Sequence, residues 1–317
     1  MFFTLVKTVS IVDNLNVSIH YTMSISRQNL SIVIVTLKSE KVIDQCIKSI
    51  NKNIPIIVVE NSNNQIFKKD LESRYKNLKC ILSNSNIGMG AGNNIGIKET
   101  QTDFVLVLNP DIVLEKNTLD ELFNASNEIS DFSILAPLEK TIKNYGALKK
   151  DSNKILEKIN ESITYPFKVE WIDGFAMLLN KKKLKDEVYF DENFFMYLEN
   201  NDLCRRVINN KGSIYIAPKA KINHLAAKTV DSKFADEVEF SRNWHWIWSK
   251  FYYNKKHFGI LKAYKECLPS YFSSILKFIF YFLINNKVKK KIYFNRASGF
   301  YNALLGKSSW YRPNLNN

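Results

Sequence analysis

The sequence predicts an α/β fold with a doubly wound sheet, followed by a helical extension that is basic and rich in aromatic residues. Short β-branched runs typical of buried strands alternate with segments of helical periodicity, which is the pattern of a doubly wound sheet. The last quarter differs, because residues 245–317 hold thirteen Lys and Arg but one acid, a net charge of +12. The preceding 244 residues contribute only +2 of the total of +14. The basic character therefore belongs to the C-terminal segment.

The first part of the chain supplies four predicted strands, at residues 32–36, 55–60, 80–83 and 104–108. A helix with an apolar stripe from Val42 to Ile50 follows the first strand. A second helix is predicted over residues 90–98, after a Gly-rich turn. This alternation favours parallel strands joined by right-handed crossovers.

Further elements are predicted towards residue 230. They are a helix over 118–128, strands over 132–137 and 174–180, a helix over 198–209, and strands over 213–218 and 221–224. The polar stretch 138–168 is predicted to be a loop with short helices over one sheet edge. We place the main domain at residues 29–230. Residues 1–28 are predicted to form an N-terminal arm that could be dispensable.

Residues 231–317 are predicted to form a helical, membrane-associating extension. The run SYFSSILKFIFYFLI, residues 270–284, is apolar apart from Lys277 and hydroxyls, and NNKVKKK follows it. About 20 apolar residues are needed to span a bilayer, so this shorter run predicts a helix lying in the membrane interface, with lysines on anionic headgroups. The pI of about 9.4 also fits a nucleic-acid-binding protein. We predict no nucleic-acid partner, because the lysines flank an apolar helix.

The cysteines and the N-terminus both indicate a cytoplasmic protein. The four cysteines form no Cys-x-x-Cys pair and no metal-type spacing, which favours free thiols in a reducing compartment. The first 22 residues lack the basic segment, long apolar core and cleavage site of a signal peptide.

Polar residues cluster at four places where chemistry is expected. The segments are VVENSN (58–63), NSNIGMGAGNNIGI (84–97), FVLVLNPD (104–111) and FDENFFMYLENNDLCRR (190–206). Pro110 fixes its own φ and holds Asp111 beyond the carboxyl end of a buried strand, where open α/β sheets bind ligands. Each segment also has a structural interpretation. The Gly-rich segment could be only a turn, Asp111 could cap a helix, and Glu199 and Asp202 could pair with Arg205 and Arg206.

In their order along the chain, these segments resemble those of the family 2 glycosyltransferases with a GT-A fold. The resemblance covers about residues 30–228 and is closest to bacterial rhamnosyltransferase-like members. It implies a Rossmann-like, GT-A type mixed sheet and an inverting transfer from a dTDP- or UDP-linked sugar, with rhamnose as one candidate. The implied acceptor is a saccharide or lipid-linked saccharide in cell-envelope polysaccharide synthesis, and the implied location is the cytoplasmic face of the inner membrane, with peripheral attachment.

The resemblance also implies a role for each segment. The nucleotide-sugar residues would be Thr36, Glu60, Asn61, Asn86, Gly88, Gly90, Asn93, Asn94, Asn109 and Asp111. The divalent cation, Mg²⁺ or Mn²⁺, would be held by Asp111 and His224, although a histidine at a strand end is commonly structural. The acceptor side would include Trp171, Asp173 and Gly174, with Trp171 equally placed to be a core aromatic.

The catalytic base is the position where this chain departs from the family. The family has a Glu-Asp pair followed two residues later by Asp, and here the segment is Glu199, Asn200, Asn201, Asp202. Asn200 cannot accept a proton, so the catalytic candidates are Glu199 and Asp202. We favour Glu199, which lies beside the aromatic FFMYL. The alternative is a non-catalytic glycosyltransferase-like scaffold that binds a nucleotide sugar or a partner.

Overall fold

A central mixed β-sheet carries the helices of the first 230 residues. The computed structural model describes residues 25–315 apart from residue 130 and ranges 141–144, 148–162, 185–188 and 226–231. The strands are β1 (Leu30–Thr36), β2 (Ile56–Glu60), β3 (Leu78–Leu82), β4 (Phe104–Leu108), β5 (Ile112–Leu114), β6 (Ile134–Glu139), β7 (Tyr145–Ala147), β8 (Phe167–Ile172), β9 (Ala176–Asn180) and β10 (Ile214–His224). The helices are α1 (Ile43–Ser49), α2 (Gln65–Arg74), α3 (Met89–Lys98), α4 (Thr118–Glu128), α5 (Glu199–Asn209), α6 (Ala235–Phe258), α7 (Ile260–Leu283) and α8 (Lys287–Leu304).

The strand order is β3-β2-β1-β4-β9-β6-β10-β8-β7, with β5 paired to β10. Strands β1 to β4 are parallel to their neighbours within this group, as the alternation predicts. Strand β9 is antiparallel to β4 and β6, and β10 is parallel to β6 but antiparallel to β5 and β8. The predicted mixed, doubly wound sheet is confirmed.

Strand β1 shows why this sheet is covered on both faces. All seven of its residues are buried. Ile32 and Ile34 belong to one hydrophobic cluster, whereas Val33 and Val35 belong to the cluster on the other face. Helix α3 can approach the second face closely because it presents glycines. A Cβ at Gly92 would lie 2.8 Å from a methyl carbon of Val35.

The sequence-based expectation lacks α2, β5 and β7, and it differs from the structure in three further places. Strand β8 begins at Phe167, inside the stretch predicted to be a loop, because its alternating Lys168 and Glu170 weaken the apolar signal. The two strands predicted at 213–218 and 221–224 are one strand, β10, with a register shift between Ala217 and Lys221. Residues 1–24 of the predicted arm lie outside the described residues, but Ile25 is already buried in the core.

Helices α6, α7 and α8 form the C-terminal extension and have a hydrophobic core of their own. Its members are Trp244, Ile247, Trp248, Phe251, Ala263, Cys267, Phe300 and Ala303. Helix α6 also packs on the main domain, since Ser249 Oγ donates a 2.7 Å hydrogen bond to the carbonyl oxygen of Met196. In the described part of the chain, no helix combines the length and hydropathy required to cross a bilayer.

Candidate active site

Register brings the predicted site residues to one edge of the sheet. Thr36 pairs with Glu60 at the carboxyl ends of β1 and β2, and Ile34 pairs with Leu108 at the end of β4. Leu108 in turn pairs with Ala176, the first residue of β9. The segments that follow Thr36, Glu60 and Leu108 therefore meet the segment that precedes β9, as expected for an open α/β sheet.

The buried carboxylate of Glu60 shapes the loop after β2. It accepts hydrogen bonds from the backbone nitrogens of Ser62 (2.9 Å) and Asn64 (2.6 Å) and from the Ser62 hydroxyl (2.5 Å). The next residue, Asn61, donates from Nδ2 to the carbonyl oxygen of Gly88 at 3.0 Å. The Oδ1 atom of Asn61 is buried and has no hydrogen-bond partner in the described structure. Because such atoms are rare in folded proteins, this oxygen is a candidate acceptor for a ligand N–H or O–H.

The Gly-rich segment (84–97) contacts both the loop after β2 and the 190–199 segment. Gly88 has φ of +88°, and a Cβ there would lie 2.3 Å from the carbonyl oxygen of Phe195. Asn94 exchanges two hydrogen bonds with the backbone of Phe190, at 2.8 and 2.9 Å, so its amide holds this crossing in place. Asn86 accepts a hydrogen bond from the backbone nitrogen of Gly88 at 3.3 Å.

Asn93 and Gly90 are buried members of the same segment. Asn93 is buried, and its Oδ1 has no hydrogen-bond partner among the described residues. A Cβ at Gly90 would lie 3.5 Å from the Cβ of Glu199, so Gly90 marks the place where α3 meets the start of α5. The glycines of α3 thus mainly allow α3 to pack closely against its neighbours.

Asp111 and His224 are brought together by the pairing of β5 with β10. His224 Nε2 lies 3.2 Å from Asp111 Oδ2, and 113 residues separate them in sequence. The hydrogen bond to Asp111 raises the pKa of His224, against the opposing effect of burial. Asn109 precedes this pair, and its backbone nitrogen donates to the carbonyl oxygen of Phe175 at 2.8 Å. No group of three or more His, Cys, Asp and Glu side chains able to hold a metal ion occurs in the described ranges.

The segment before β9 connects this pair to helix α5. Burial raises the pKa of Asp173, and the neighbouring His224 lowers it, so the two residues are electrostatic neighbours. A Cβ at Gly174 would lie 3.2 Å from the Cβ of Asn200. Trp171 packs across Gly146, where a Cβ would fall 2.0 Å from the indole nitrogen. Its ring lies against the hydrophobic core, so the interpretation as a core aromatic fits Trp171 better than an open acceptor contact.

Glu199 is the first residue of α5 and has an unpaired carboxylate oxygen. Its Oε2 is buried and lacks a hydrogen-bond partner among the described residues. Burial raises the pKa of Glu199 to about 7, and its own backbone N–H opposes that shift. The two preceding residues, Tyr197 and Leu198, have left-handed backbone angles, with φ of +69° and +67°. Such strain in residues other than glycine is concentrated at functional sites.

Asn200 and Asp202 have different surroundings from Glu199. The Asn200 amide donates to the carbonyl oxygen of Ile172 at 2.7 Å, which ties α5 to the end of β8. The buried Asp202 carboxylate lies 2.9 Å from Arg206 Nε, 2.6 Å from Lys256 Nζ and 2.8 Å from His257 Nε2. Asp202, the second catalytic candidate, therefore lies in a buried ion network.

Sequence reasoning missed the contribution of α6 to this site. Lys256 bridges Asp202 and Asp191, and Tyr252 donates to Asp191 at 3.0 Å. Burial favours a raised pKa for Asp191, but the hydrogen bonds from Lys256 and Asn193 lower it overall. The mixture of aromatic and basic residues in α6 is the available signal, and the sequence-based expectation places this segment in the membrane-associating extension, with packing of Trp244–Trp248 on the main domain as the alternative.

Comparison with known proteins agrees with this architecture. The sequence model described as glycosyl transferase family 2 matches residues 31–191. A low-salt glycan biosynthesis hexosyltransferase of Haloferax volcanii is 28% identical over 228 residues, which are 68% of this chain and 69% of that protein. An N-acetylglucosaminyl-diphospho-decaprenol L-rhamnosyltransferase of Mycobacterium tuberculosis is 21% identical over 212 residues, covering 56% of this chain and 68% of that protein.

A solved structure shares the fold at low sequence identity. The crystal structure of GalNAc-T7 with UDP, GalNAc and Mn²⁺ aligns with a TM-score of 0.51 and 14% identity, covering 62% of this chain and 43% of that one. The family match spans just over half of the chain and includes the ends of β1, β2 and β4, where the site residues gather. The chain therefore belongs to glycosyl transferase family 2 and is a glycosyltransferase.

Proposed function

We propose that this protein transfers a hexosyl group, with inversion at the anomeric carbon, from a dTDP- or UDP-linked sugar to a lipid-linked saccharide. The single observation that carries the catalytic part is Glu199, a carboxylate at the start of α5 that packs near Gly90 of α3 and has a buried, unpaired oxygen. The relatives named as a hexosyltransferase and a diphospho-decaprenol rhamnosyltransferase support the substrate classes. Rhamnose is the first sugar to test.

Glu199 is the proposed general base. In the reaction, an acceptor hydroxyl gives its proton to the carboxylate while its oxygen forms the new bond to the anomeric carbon. The bond from that carbon to the diphosphate oxygen breaks, and the nucleoside diphosphate leaves. A base is most effective when its pKa lies near the working pH, and the pKa of about 7 meets this requirement.

The donor would lie along the ends of β1, β2 and β4. Thr36 and Asn61 border this edge, and the unpaired amide oxygens of Asn61 and Asn93 offer acceptors for the polar groups of a nucleotide sugar. Glu60 is committed to the backbone of its own loop, and Gly88 and Asn94 are committed to contacts with Phe195 and Phe190, so we assign these three residues to shaping the pocket. Asn86 and Asn109 remain proposed contacts at its rim.

The donor set of Asp111 and His224 fits a divalent cation that is shared with a diphosphate. One carboxylate oxygen and one imidazole nitrogen, 3.2 Å apart and partly exposed, leave most of a six-coordinate shell to phosphate oxygens and water. Mg²⁺ or Mn²⁺ bound there would neutralise charge that develops on the leaving diphosphate. Asp173 lies close enough to His224 to influence it and could orient a ligand water or an acceptor hydroxyl.

The extension is the proposed membrane contact. Helix α7 and the turn after it expose large apolar side chains, of which Leu276 is 69%, Phe282 60% and Leu283 75% exposed. Lys287, Lys289, Lys290 and Lys291 follow directly. An exposed apolar face beside clustered lysines is complementary to an anionic bilayer surface and would bring the site to lipid-linked acceptors at the cytoplasmic face.

The decisive experiment combines a donor screen with two conservative variants. Wild-type protein is incubated with UDP- and dTDP-sugars, Mn²⁺ or Mg²⁺ and an acceptor, and the released nucleoside diphosphate is measured. Glu199→Gln should lower turnover by about 10²–10⁴ with donor affinity nearly retained, the usual scale for a lost general base. Asn201→Asp, one residue beyond Asn200, is the control for altered charge at this turn. Wild-type turnover by Glu199→Gln would show that Glu199 is not the base, and no release from any donor would favour a non-catalytic scaffold.

A further inference from the structure

We propose that Trp246 of α6, together with Tyr197 and Arg242, forms a platform that binds the sugar ring of the acceptor. This inference rests on the proposed function, and it assigns the C-terminal extension a direct part in substrate selection. The ligand class is a saccharide, because the cluster joins an exposed aromatic face to hydrogen-bonding groups of both charges.

Trp246 is placed on the side of α6 that faces the start of α5. Its ring contacts Tyr197 edge to face, with centroids 5.5 Å apart and an interplanar angle of 87°. Trp246 is 45% exposed, whereas Trp244 and Trp248 on the same helix are 0% and 3% exposed. The latter two build the extension core, so Trp246 needs a different explanation. Large aromatic side chains with one free face are a common means of binding apolar faces of ligands.

The platform lies next to the proposed base along the chain and is held there. Tyr197 is two residues before Glu199, in the strained turn that begins α5. The hydrogen bond from Ser249 to the Met196 carbonyl fixes α6 one turn beyond Trp246. An acceptor ring on Trp246 would thus be bound beside the residue that takes the proton from its hydroxyl.

Polar groups border the aromatic pair on α6. Arg242 is exposed one helical turn before Trp246, on the same side of the helix, and forms no hydrogen bond or ion pair with any described residue. Glu239 lies a further turn away, and its carboxylate accepts a hydrogen bond from the amide of Asn243 at 2.6 Å. A guanidinium and a carboxylate beside an aromatic ring can donate to and accept from sugar hydroxyls.

The test separates acceptor binding from donor chemistry. The acceptor probes are p-nitrophenyl glycosides of N-acetylglucosamine, galactose and rhamnose, and the variants are Trp246→Ala and Trp246→Phe. Tyr165→Ala is the control, because Tyr165 is an aromatic residue of the main domain that is 66% exposed. Trp246→Ala should raise the acceptor KM about tenfold, the scale of one lost aromatic contact, while the donor KM changes less than about twofold. Trp246→Phe should recover part of the loss, and Tyr165→Ala should match wild type.

Saturation-transfer NMR detects the binding of the same glycosides independently of turnover. Signals from the sugar protons should be present with wild type and lost with Trp246→Ala, whose folding is checked by thermal unfolding. An acceptor KM within twofold of wild type together with unchanged NMR signals would overturn the platform, as would a wild-type protein that binds none of the glycosides. If wild type binds glycosides through Trp246 but releases no nucleotide, the platform stands and the proposed catalytic function fails.

Discussion

The carboxylate of Asp202 accepts a 2.8 Å hydrogen bond from Nε2 of His257, although 55 residues separate them. Lys256 reaches the same carboxylate oxygen at 2.6 Å. Asp202 is on the helix that begins with Glu199, whereas Lys256 and His257 belong to the extension. Helix α6 therefore helps to hold the helix that carries the proposed base.

Removing one cation of this network should destabilise the protein. Lys256→Ala leaves Asp191 and the fully buried Asp202 with fewer partners, and breaking buried pairs is costly. We expect a loss of about 1–3 kcal/mol in the free energy of unfolding, less than for a complete loss because Arg206 and His257 remain. Urea unfolding of Lys256→Ala and of Lys255→Ala, an exposed neighbour, provides the measurement. Equal midpoints for the two variants would contradict a structural role for the network.

The contacts of α6 with the 191–202 segment also determine what removal of the extension should do. The sequence alone predicts that a cut after about Asn243 leaves a soluble catalytic domain. The cut removes Lys256, His257 and Ser249, which bind the 191–202 segment, so we now expect an unstable fragment with little activity. The alternative, that residues around Trp244–Trp248 pack on the main domain, is the one that the contacts of Ser249 and His245 favour.

The pH dependence of turnover should report the ionisation of Glu199. Burial raises the pKa of this carboxyl to about 7, and the base must be deprotonated to accept a proton. Activity should therefore increase with pH, with a midpoint near 7, and fall about tenfold per pH unit well below it. Initial rates of transfer between pH 5 and 9 give the profile. A profile that is flat down to pH 5 would assign the base elsewhere.

Glu199→Gln should stabilise the protein at high pH while it impairs catalysis. Because the folded-state pKa of Glu199 is raised, the protonated carboxyl is favoured in the fold. The contribution of Glu199 to the free energy of unfolding is then largest below the unfolded pKa of about 4.5. This contribution falls as pH rises towards the folded-state pKa of about 7 and is lost above it. Glutamine has no such loss, so the variant should be more stable by about 1–3 kcal/mol at pH 8 and nearly equal to wild type at pH 4.5. Urea unfolding at pH 8 and pH 4.5 measures the stability difference between Glu199→Gln and wild type. A variant that is less stable than wild type at pH 8 would contradict this prediction.

Particular residues show what could be predicted from sequence. Asp111 and His224 were paired through the family resemblance, and the pairing of β5 with β10 brings them to 3.2 Å. The buried strands β1, β2 and β4 are predictable from sequence because continuous apolar runs are typical of strands covered on both faces. The partners of Asp202 on α6 are not predictable from sequence, since contacts between residues about 50 positions apart depend on how the helices pack. Strand β8 is not predictable from its sequence because the alternating charges of Lys168 and Glu170 resemble the composition of a loop.

Asp111 should be required for turnover that depends on a divalent cation. Asp111→Asn keeps the shape of the side chain but removes its charge, so the fold should survive and metal-dependent turnover should fall by about 10²-fold or more. His224→Gln, which keeps a polar side chain, should weaken the response to Mn²⁺ less severely. Calorimetric titration of UDP with and without Mn²⁺ provides a binding measurement that is independent of the acceptor. Turnover by Asp111→Asn in chelator at the wild-type rate would disprove the metal role of Asp111.

Membrane binding by the extension should depend on its lysines as well as its apolar face. Lys287, Lys289, Lys290 and Lys291 follow exposed Phe282, Leu283 and Ile284 in sequence, and Lys290 lies 5.4 Å from the centre of the Phe282 ring, so charge and apolar area adjoin. Lys291 also pairs with Glu237 at 3.0 Å. Each lysine near an anionic surface contributes about 1 kcal/mol, and replacing all four by Gln should weaken binding by about 10²–10³-fold. The control replaces Lys52, Lys69, Lys76 and Lys98, four exposed lysines of the main domain, with Gln. Sedimentation with vesicles containing phosphatidylserine should show loss of binding for the first variant, retention for the control and a steep decrease with salt for wild type. If both variants lose binding equally, net charge and not this surface controls association, and the extension has no particular role in membrane contact.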